Sequence, residues 1–449
     1  MSTTARAVAL APARVDAQRL RSLIATQPVL HKLYDAVSRD VVWLRDAIGS
    51  RLPPCAWQQK ELEVFATCAP RAAQKPRLML PNSVYLQEDR SGSVLTVTNV
   101  QAGEPYQVNV LHQQLSAAGA SFEPGPLRAH CAALASAARL VHPAAPVVAV
   151  LSRPTEALAK RTAADVHGVG DTLLAEQGVC RVLYVSMRDL AEAQLERSTG
   201  DLVLGGHHIS VVYSRFDFSH PFGAPIADAE AAGAELWREW ETIEKMERSS
   251  AVISSDLGCR LAHRRGVAYA LSRPGGVERF LPDASEAAAV RRVLPEQWSL
   301  RACDGRSLEA ATALLATDAQ GFVAKNVLRP RTGSGATQGR IESGGLPITT
   351  PDGLRALLGD ARREWHLLYR KLSPRTHSAT VRHVDGAEWE VEGAESEVGV
   401  YGAYLALPGE EAMLNASAGV AARTRPADAG HALAAQLGYG AISAVAGVM

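Results

Sequence analysis

The five-residue run Val147-Val148-Ala149-Val150-Leu151 constrains the fold more than any other stretch of this chain. No polar residue alternates through it, so it describes a strand covered on both faces, the condition of a parallel sheet. A helical pattern over residues 163–177 and a second strand, Arg181-Val-Leu-Tyr-Val185, follow it. Parallel neighbours need a long crossover between them, so the three pieces predict a β-α-β unit and an α/β fold.

The flanking segments fill in around this unit. Apolar residues at helical spacing (Leu20, Leu23, Ile24; then Leu30, Leu33, Val37, Val41, Leu44, Ile48) predict two helices within 17–51, and 55–68 predicts a third after Pro53-Pro54. Residues 93–100 and 106–111 flank Gln101-Ala-Gly-Glu-Pro105 and are expected to pair as a β-hairpin. Gly125-Pro126 introduces a helix through Val141, closed by His142-Pro143. A second hairpin turns at Gly205-Gly206, between residues 201–204 and 207–213. Helices are expected over 227–248, 285–293 and 307–317; strands near 365–369 and 398–405 bracket a polar hairpin at 375–396, and the tail reads as helix-like. No stretch reads as a disposable linker, so the domains are expected to interleave.

Lys plus Arg and Asp plus Glu both total 47, which gives no support to a nucleic-acid or anionic-membrane partner. No apolar run approaches the roughly 18 residues a membrane-spanning helix needs. The six cysteines are scattered without a CxxC pair, as expected of reduced thiols in a cytosol-like compartment. Cytoplasm is the default expectation, although the acid-free first fifteen residues with Arg6 and Arg14 also suit an organelle transit peptide.

Few patterns carry chemistry on their own. The adjacent His207-His208 lies in a strand, where neighbours point to opposite faces; the pair is not expected to clamp one ion. No GxSxG anchors a Ser/His/Asp triad. The strand Phe322-Val-Ala delivers Lys325 and then a loop with Arg329, Arg331, Gly333, Ser334, Gly335 and Gly339. A lysine at a strand end beside exposed backbone N–H groups makes a polyphosphate cradle, though without the Gly-Lys-Ser/Thr of a P-loop. The alternative is a hairpin tip whose arginines face water. Arg265, Lys325, Arg423 and Arg425 are the four cations near glycine-rich turns that would suit a polyanion such as a nucleotide, against ordinary surface positions.

Several stretches, in order, resemble the eukaryotic-type glutathione synthetases. They are Leu33-Tyr-Asp-Ala-Val-Ser-Arg-Asp40, Val211-Val-Tyr-Ser-Arg-Phe-Asp-Phe218, Met246-Glu-Arg-Ser-Ser-Ala251 with Ser272-Arg-Pro-Gly-Gly-Val-Glu278, Phe322-Val-Ala-Lys325, Ser396-Glu-Val-Gly-Val-Tyr-Gly-Ala-Tyr404 and Gly419-Val-Ala-Ala-Arg-Thr-Arg425. The resemblance implies an ATP-grasp fold with an inserted parallel-sheet substrate subdomain. It divides the chain into an N-terminal part of the ATP-grasp body (1–144), the substrate subdomain (145–225), a helical continuation (226–320) and a nucleotide-binding lid with the C-terminal body (321–449). It implies a homodimeric ligase that uses ATP and Mg²⁺ to join γ-glutamylcysteine to glycine through an acyl phosphate.

Carried over by position, Arg265, Lys325, Gly333, Ser334, Gly335, Glu397 and Arg425 would bind ATP. Arg215, Arg423 and Asn82 would bind substrate, with Arg423 catalytic beside the reacting carboxylate. Gln107, Asn109 and Thr332 would hold the metal. This chain departs from the family at several of these places. Arg265 and Arg425 stand for lysines, Asn82 for an arginine, Thr332 for a glutamate, and Tyr369-Arg370 for a Met-Glu hinge. Thr162 and Val166 replace a substrate asparagine and glutamine. The metal-binding Glu-Ile-Asn aligns with Gln107-Val108-Asn109 or, alternatively, with Val97-Thr98-Asn99. These changes keep a second reading open, a non-catalytic relative that retains the fold for binding or assembly.

Overall fold

The strand Glu388–Ala406 organises the protein, pairing antiparallel with Ala412–Pro426 on one side and with Asn82–Glu88 and Arg77–Met79 on the other. In this computed structural model the described residues are 7–50, 56–88, 92–99, 105–117, 119, 121–152, 156–214, 233–327, 348, 350–382, 386–427 and 441–448. The sheet continues outward from Asn82–Glu88 to Gly92–Asn99, and from Ala412–Pro426 to Ala441–Ser443, Val8–Ala9 and Thr376–Arg382. Thr376–Arg382 also pairs with the beginning of the 388–406 strand, so the sheet curls back on itself.

Both faces of the central hairpin are covered, because its alternating positions are apolar on both sides. Val398, Val400 and Val420 pack toward Leu20 and Leu23 of the helix Ala17–Arg39. Tyr401, Ala403 and Ala421 share a core with Leu127 and Leu134 of the helix Leu127–Val141 and with Val108 and Leu111 of the helix Pro105–Ala117. Each fully buried leucine or valine contributes about 1.5–3 kcal/mol relative to exposure.

The run Val147–Leu151 is a fully buried strand of a four-stranded parallel sheet, between Val211–Ser214 and Arg181–Val185, with Val252–Ser254 at the far edge. The helix Glu156–Glu176 makes the crossover. A third sheet of three antiparallel strands, Gln297–Ser299, His366–Arg370 and Phe322–Asn326, packs on the helices Gly305–Thr317 and Pro351–Leu358. No helix among the described residues is long and apolar enough to cross a membrane.

Three expectations are corrected. Gly92–Asn99 is a strand, but it pairs back onto Asn82–Glu88, and residues 105–117 form a helix. Pro105 presets the first helical turn, Val108, Leu111 and Leu115 recur at helical spacing on the buried side, and Asp165 Oδ1 accepts the Tyr106 N–H at 2.8 Å. The short alternation from Gln107 to Val110 imitated a strand. The hairpin at Gly205-Gly206 (φ 56° and 77°) ends at Ile209, and Val211–Ser214 leaves it for the parallel sheet. In the tail, Ala441–Ser443 and Val445–Val448 are strands where a helix-like stretch was expected. The helix expected from 227 is described as Gly233–Arg248.

A buried polar network fastens the first helix to the central hairpin. Asn415 Nδ2 donates to Pro28 O at 3.1 Å, which turns its Oδ1 toward His31 Nδ1 at 2.8 Å. Nδ1 therefore carries the proton, and Nε2 accepts from Gln27 Nε2 at 3.0 Å. Burial pushes the His31 imidazole down to about 4, against the opposing pull of the Asn415 hydrogen bond. The unfolded chain binds the proton first, so stability from this group is present above about pH 6.5 and lost as pH falls toward 4. Between pH 7.5 and 5 the loss through His31 should be on the order of 2 kcal/mol. Urea midpoints should fall correspondingly less for His31→Phe than for the native chain; equal slopes would assign the acid sensitivity to other groups.

Candidate active site

Alternation in the strand Phe322–Asn326 separates its core face from its working face. Phe322 and Ala324 enter the core with Leu315, Leu354 and Leu368. Val323 and Lys325 take the opposite face, across from Tyr369 and Leu367. Lys325 Nζ lies 5.1 Å from the centroid of the Tyr369 ring. Arg265, the first residue of the helix Arg265–Ser272, donates from Nη1 to the carbonyl of Asn326 at 2.6 Å. Two cations distant in sequence thus meet at one strand end. Tyr269, one turn along that helix, packs with Val327, Leu367 and Tyr369. It is anchored through its hydroxyl, which donates to Asp304 Oδ2 at 2.5 Å. The corner offers positive charge beside aromatic and apolar surface, a combination suited to a ligand with a polyanionic end and a planar one.

The central hairpin carries the other assigned groups. Its register sets Glu397 across from Arg423 and Glu395 across from Arg425, and alternation places all four on one face. Asn82 belongs to the same face, opposite Tyr401 and diagonal to Gly399, where an added Cβ would lie 2.8 Å from Asn82 Oδ1. Asn82 is buried, and that oxygen has no hydrogen-bond partner among the described residues, which leaves it able to accept a hydrogen bond. Arg425 is held by two carboxylates, Glu395 Oε1 at 2.5 Å and Glu397 Oε1 at 3.4 Å. Burial works against the Arg425 charge, but Glu397 and Glu395 together outweigh it and hold its pKa above the usual arginine value.

The two regions adjoin along the chain. The strand His366–Arg370 leads to Arg375, whose N–H donates to the Gln87 carbonyl at 3.0 Å; Leu86, its neighbour, is the register partner of Glu397. Five residues span at most about 18 Å.

The proposed metal pair does not survive this geometry. Gln107 and Asn109 lie on a helix, where positions two apart are about 200° around the axis, so they do not face one ion together. Both amide atoms of Gln107 are buried without a hydrogen-bond partner among the described residues. A Glu-x-Asn pair shares a face only on a strand, and the alternative Val97-Thr98-Asn99 is a strand. Its register sets Asn99 opposite Asn82 and Val97 opposite Val84. One neutral amide and no carboxylate then stand at the family's metal positions among the described residues, which does not fit a hard cation such as Mg²⁺. Val166 is a core residue beside Val169 and Leu173. Arg215, Thr332, Gly333, Ser334 and Gly335 lie outside the described residues, as do Arg329, Arg331 and Gly339. Tyr269 and the Asn326 carbonyl, absent from the sequence-based site, complete the corner at Lys325.

A family model for the ATP-binding domain of eukaryotic glutathione synthase matches residues 1–446. With the mixed sheet, the parallel insertion and the cationic strand end, this defines the class as an α/β protein of ATP-grasp type. The chain belongs to the eukaryotic glutathione synthase family. It is 24% identical over 445 residues to the chloroplastic glutathione synthetase of Arabidopsis thaliana, covering 93% of this chain and 74% of that one. It is 25% identical over 436 residues to glutathione synthetase of Bos taurus, covering 93% and 85%. Among solved structures, a glutathione synthetase like-effector from Globodera pallida, in apo form, superposes with a TM-score of 0.70 at 16% identity, covering 99% of this chain and 90% of that one. That superposition shows the shared fold.

The clamp on Arg425 predicts a structural penalty on its removal. Arg425→Met leaves the buried Glu395 carboxylate without its partner and should cost about 1–2 kcal/mol at neutral pH, the cost reduced by the partial exposure of the arginine. Urea denaturation reads this directly, and an unchanged midpoint would show that solvent already carries the Glu395 charge.

Proposed function

We propose that this chain is an ATP-dependent carbon–nitrogen ligase of the glutathione synthetase type, acting on γ-glutamylcysteine and glycine or on substrates changed at one end. The observation that carries this reading is the convergence of Arg265 and Lys325 at the end of the strand Phe322–Asn326. A scaffold has no use for two such cations beside an aromatic face. A triphosphate needs them, because charge-assisted donors both bind its oxygens and stabilise charge as the terminal phosphoryl group leaves. Phosphorylation of the peptide's free carboxylate gives an acyl phosphate, which the amine of the second substrate attacks with loss of phosphate. Arg423, across from Glu397, is assigned to the reacting carboxylate. Asn82, standing for an arginine, offers an acceptor in place of a cation and favours a substrate that donates a hydrogen bond there. In this reading Arg215 also binds substrate, Gly333, Ser334 and Gly335 cover the phosphates, and residues 145–225 form the substrate subdomain of a homodimer.

One observation favours a second reading, nucleotide binding without turnover. The register that sets Asn99 opposite Asn82 and Val97 opposite Val84 puts no carboxylate at the positions aligned with the family's metal-binding Glu-Ile-Asn. ADP release with γ-glutamylcysteine and glycine, measured across a Mg²⁺ series, separates the two. The ligase reading expects turnover that requires high Mg²⁺; ATP binding with no ADP release at any Mg²⁺ concentration, with this pair or with other γ-glutamyl dipeptides and amino acids in its place, supports the second reading and overturns the first.

Two sets of variants test the assignments. Lys325→Ala removes a charge-assisted phosphate contact of roughly 1.5–3 kcal/mol, so ATP affinity should fall at least about tenfold by calorimetric titration. Unchanged affinity in a folded variant would remove Lys325 from the site. Val97→Glu should lower the Mg²⁺ concentration needed for MgATP binding, whereas Gln107→Glu should leave it unchanged. The opposite outcome would restore the helical alignment.

A further inference from the structure

The two adjacent histidines part company in the fold. The strands Leu202–Leu204 and His207–Ile209 pair so that His208 lies opposite Val203, and Asp201 stands immediately before the hairpin. His208 Nδ1 comes within 2.9 Å of Asp201 Oδ2. From the C-terminal end of the helix Leu127–Val141, His142 brings Nε2 to 3.9 Å from Asp201 Oδ1. The two imidazoles stand edge to face, 5.8 Å between centroids. One ligating atom from each of the three residues lies within 4.8 Å of the other two.

The cluster is braced from behind. Asp201 is 9% exposed; its N–H donates to Thr199 Oγ1 at 3.1 Å, and its Oδ1 accepts from Ser250 Oγ at 2.6 Å. Burial alone would raise the Asp201 pKa, but Ser250, His208 and His142 reverse that and hold the carboxyl below its usual range. His142 Nε2 is buried and has no hydrogen-bond partner among the described residues, an orphan lone pair or N–H directed at the carboxylate. The His208 side chain is 48% exposed, so the cluster opens to water on that side.

We propose that His142, Asp201 and His208 form a three-ligand site for a divalent transition-metal ion of the zinc class, with a fourth position open to water. The donor set discriminates: two imidazoles and one carboxylate suit zinc and its neighbours, whereas magnesium and calcium select oxygen. Ligand atoms on a tetrahedral ion at about 2.0–2.1 Å stand roughly 3.3 Å apart, so modest rotation of His142 and His208 closes the site. Ser250 supplies an outer hydrogen bond that orients a ligating carboxylate, and Thr199 holds the Asp201 backbone behind it. None of the three residues is among those assigned to contact nucleotide or substrate, although Asp201 and His208 lie within residues 145–225. The ion would pin the end of the 127–141 helix to the 202–209 hairpin, and so to the start of the inner strand Val211–Ser214 of the parallel sheet.

The test uses the full chain freed of metal by a chelator and then dialysed. Zinc competition against a chromophoric chelator should give one tight site per chain, and zinc should raise the melting temperature. His208→Ala, at the exposed ligand, and Asp201→Asn should each weaken zinc binding by at least about a hundredfold. Both variants should abolish the thermal shift while leaving ATP affinity unchanged. Cobalt added in place of zinc should give visible d–d bands without intense near-ultraviolet thiolate charge transfer. That spectrum separates this site from the exposed thiols Cys180 and Cys303. Zinc affinity in His208→Ala equal to the native value, or a cobalt spectrum dominated by thiolate, would overturn the proposal. So would native binding no tighter than that of the His142→Ala/His208→Ala double variant.

Discussion

The strand Glu388–Ala406 is buried on both faces and paired on both edges over most of its length, and the rest of the protein depends on that constraint. Four strands bond to it, and its valines and small residues are divided between two separate cores. A slip of one residue would send Val398 and Val400 into the wrong core and turn Glu395 and Glu397 inward on the opposite side. Register is therefore fixed by burial, and the positions of Glu397, Arg423 and Asn82 relative to one another follow from backbone pairing without side-chain contact between all three. The His31–Asn415 bond fixes the first helix to the same strand pair.

Where local pattern and burial agreed, the sequence was readable. Val147–Leu151 is apolar throughout because both sides of that strand are covered, and the helix Leu127–Val141 begins just after Gly125-Pro126. Residues 105–117 carry a misleading local pattern, because Gln107, Val108, Asn109 and Val110 alternate over a short window while Leu115 and Pro105, at its margins, carry the helical signal. The partnership of Arg265 with Asn326 was invisible for a different reason. Its acceptor is a backbone carbonyl, which no residue type announces. His208 was correctly separated from His207 by strand alternation, but its partners Asp201 and His142 come from a turn and a helix end that only the tertiary fold brings together.

Electrostatics divides the assigned cations into two kinds. Arg425 is compensated by two carboxylates from its own sheet, so much of its charge is spent within the protein. Lys325 rests over an aromatic face, and the Arg265 guanidinium is bonded to a neutral carbonyl. A hydrogen bond to a neutral group orients a cation while leaving its field available to an incoming anion. The two regions thus hold their cations in different ways, one through carboxylates of its own sheet and the other through a backbone carbonyl and an aromatic ring.

The close approach of Gly399 to Asn82 also has a historical side. A methyl group at 399 would press against the amide oxygen of Asn82, and on its other side would meet the Ala421 carbonyl at 3.3 Å. The two positions are thus linked in the order in which they can change. While residue 399 remains glycine, position 82 is free to exchange one polar group for another, and the pocket's preference can drift. Once 399 acquires a side chain, that route closes, because a larger group at 82 and a Cβ at 399 would compete for the same space.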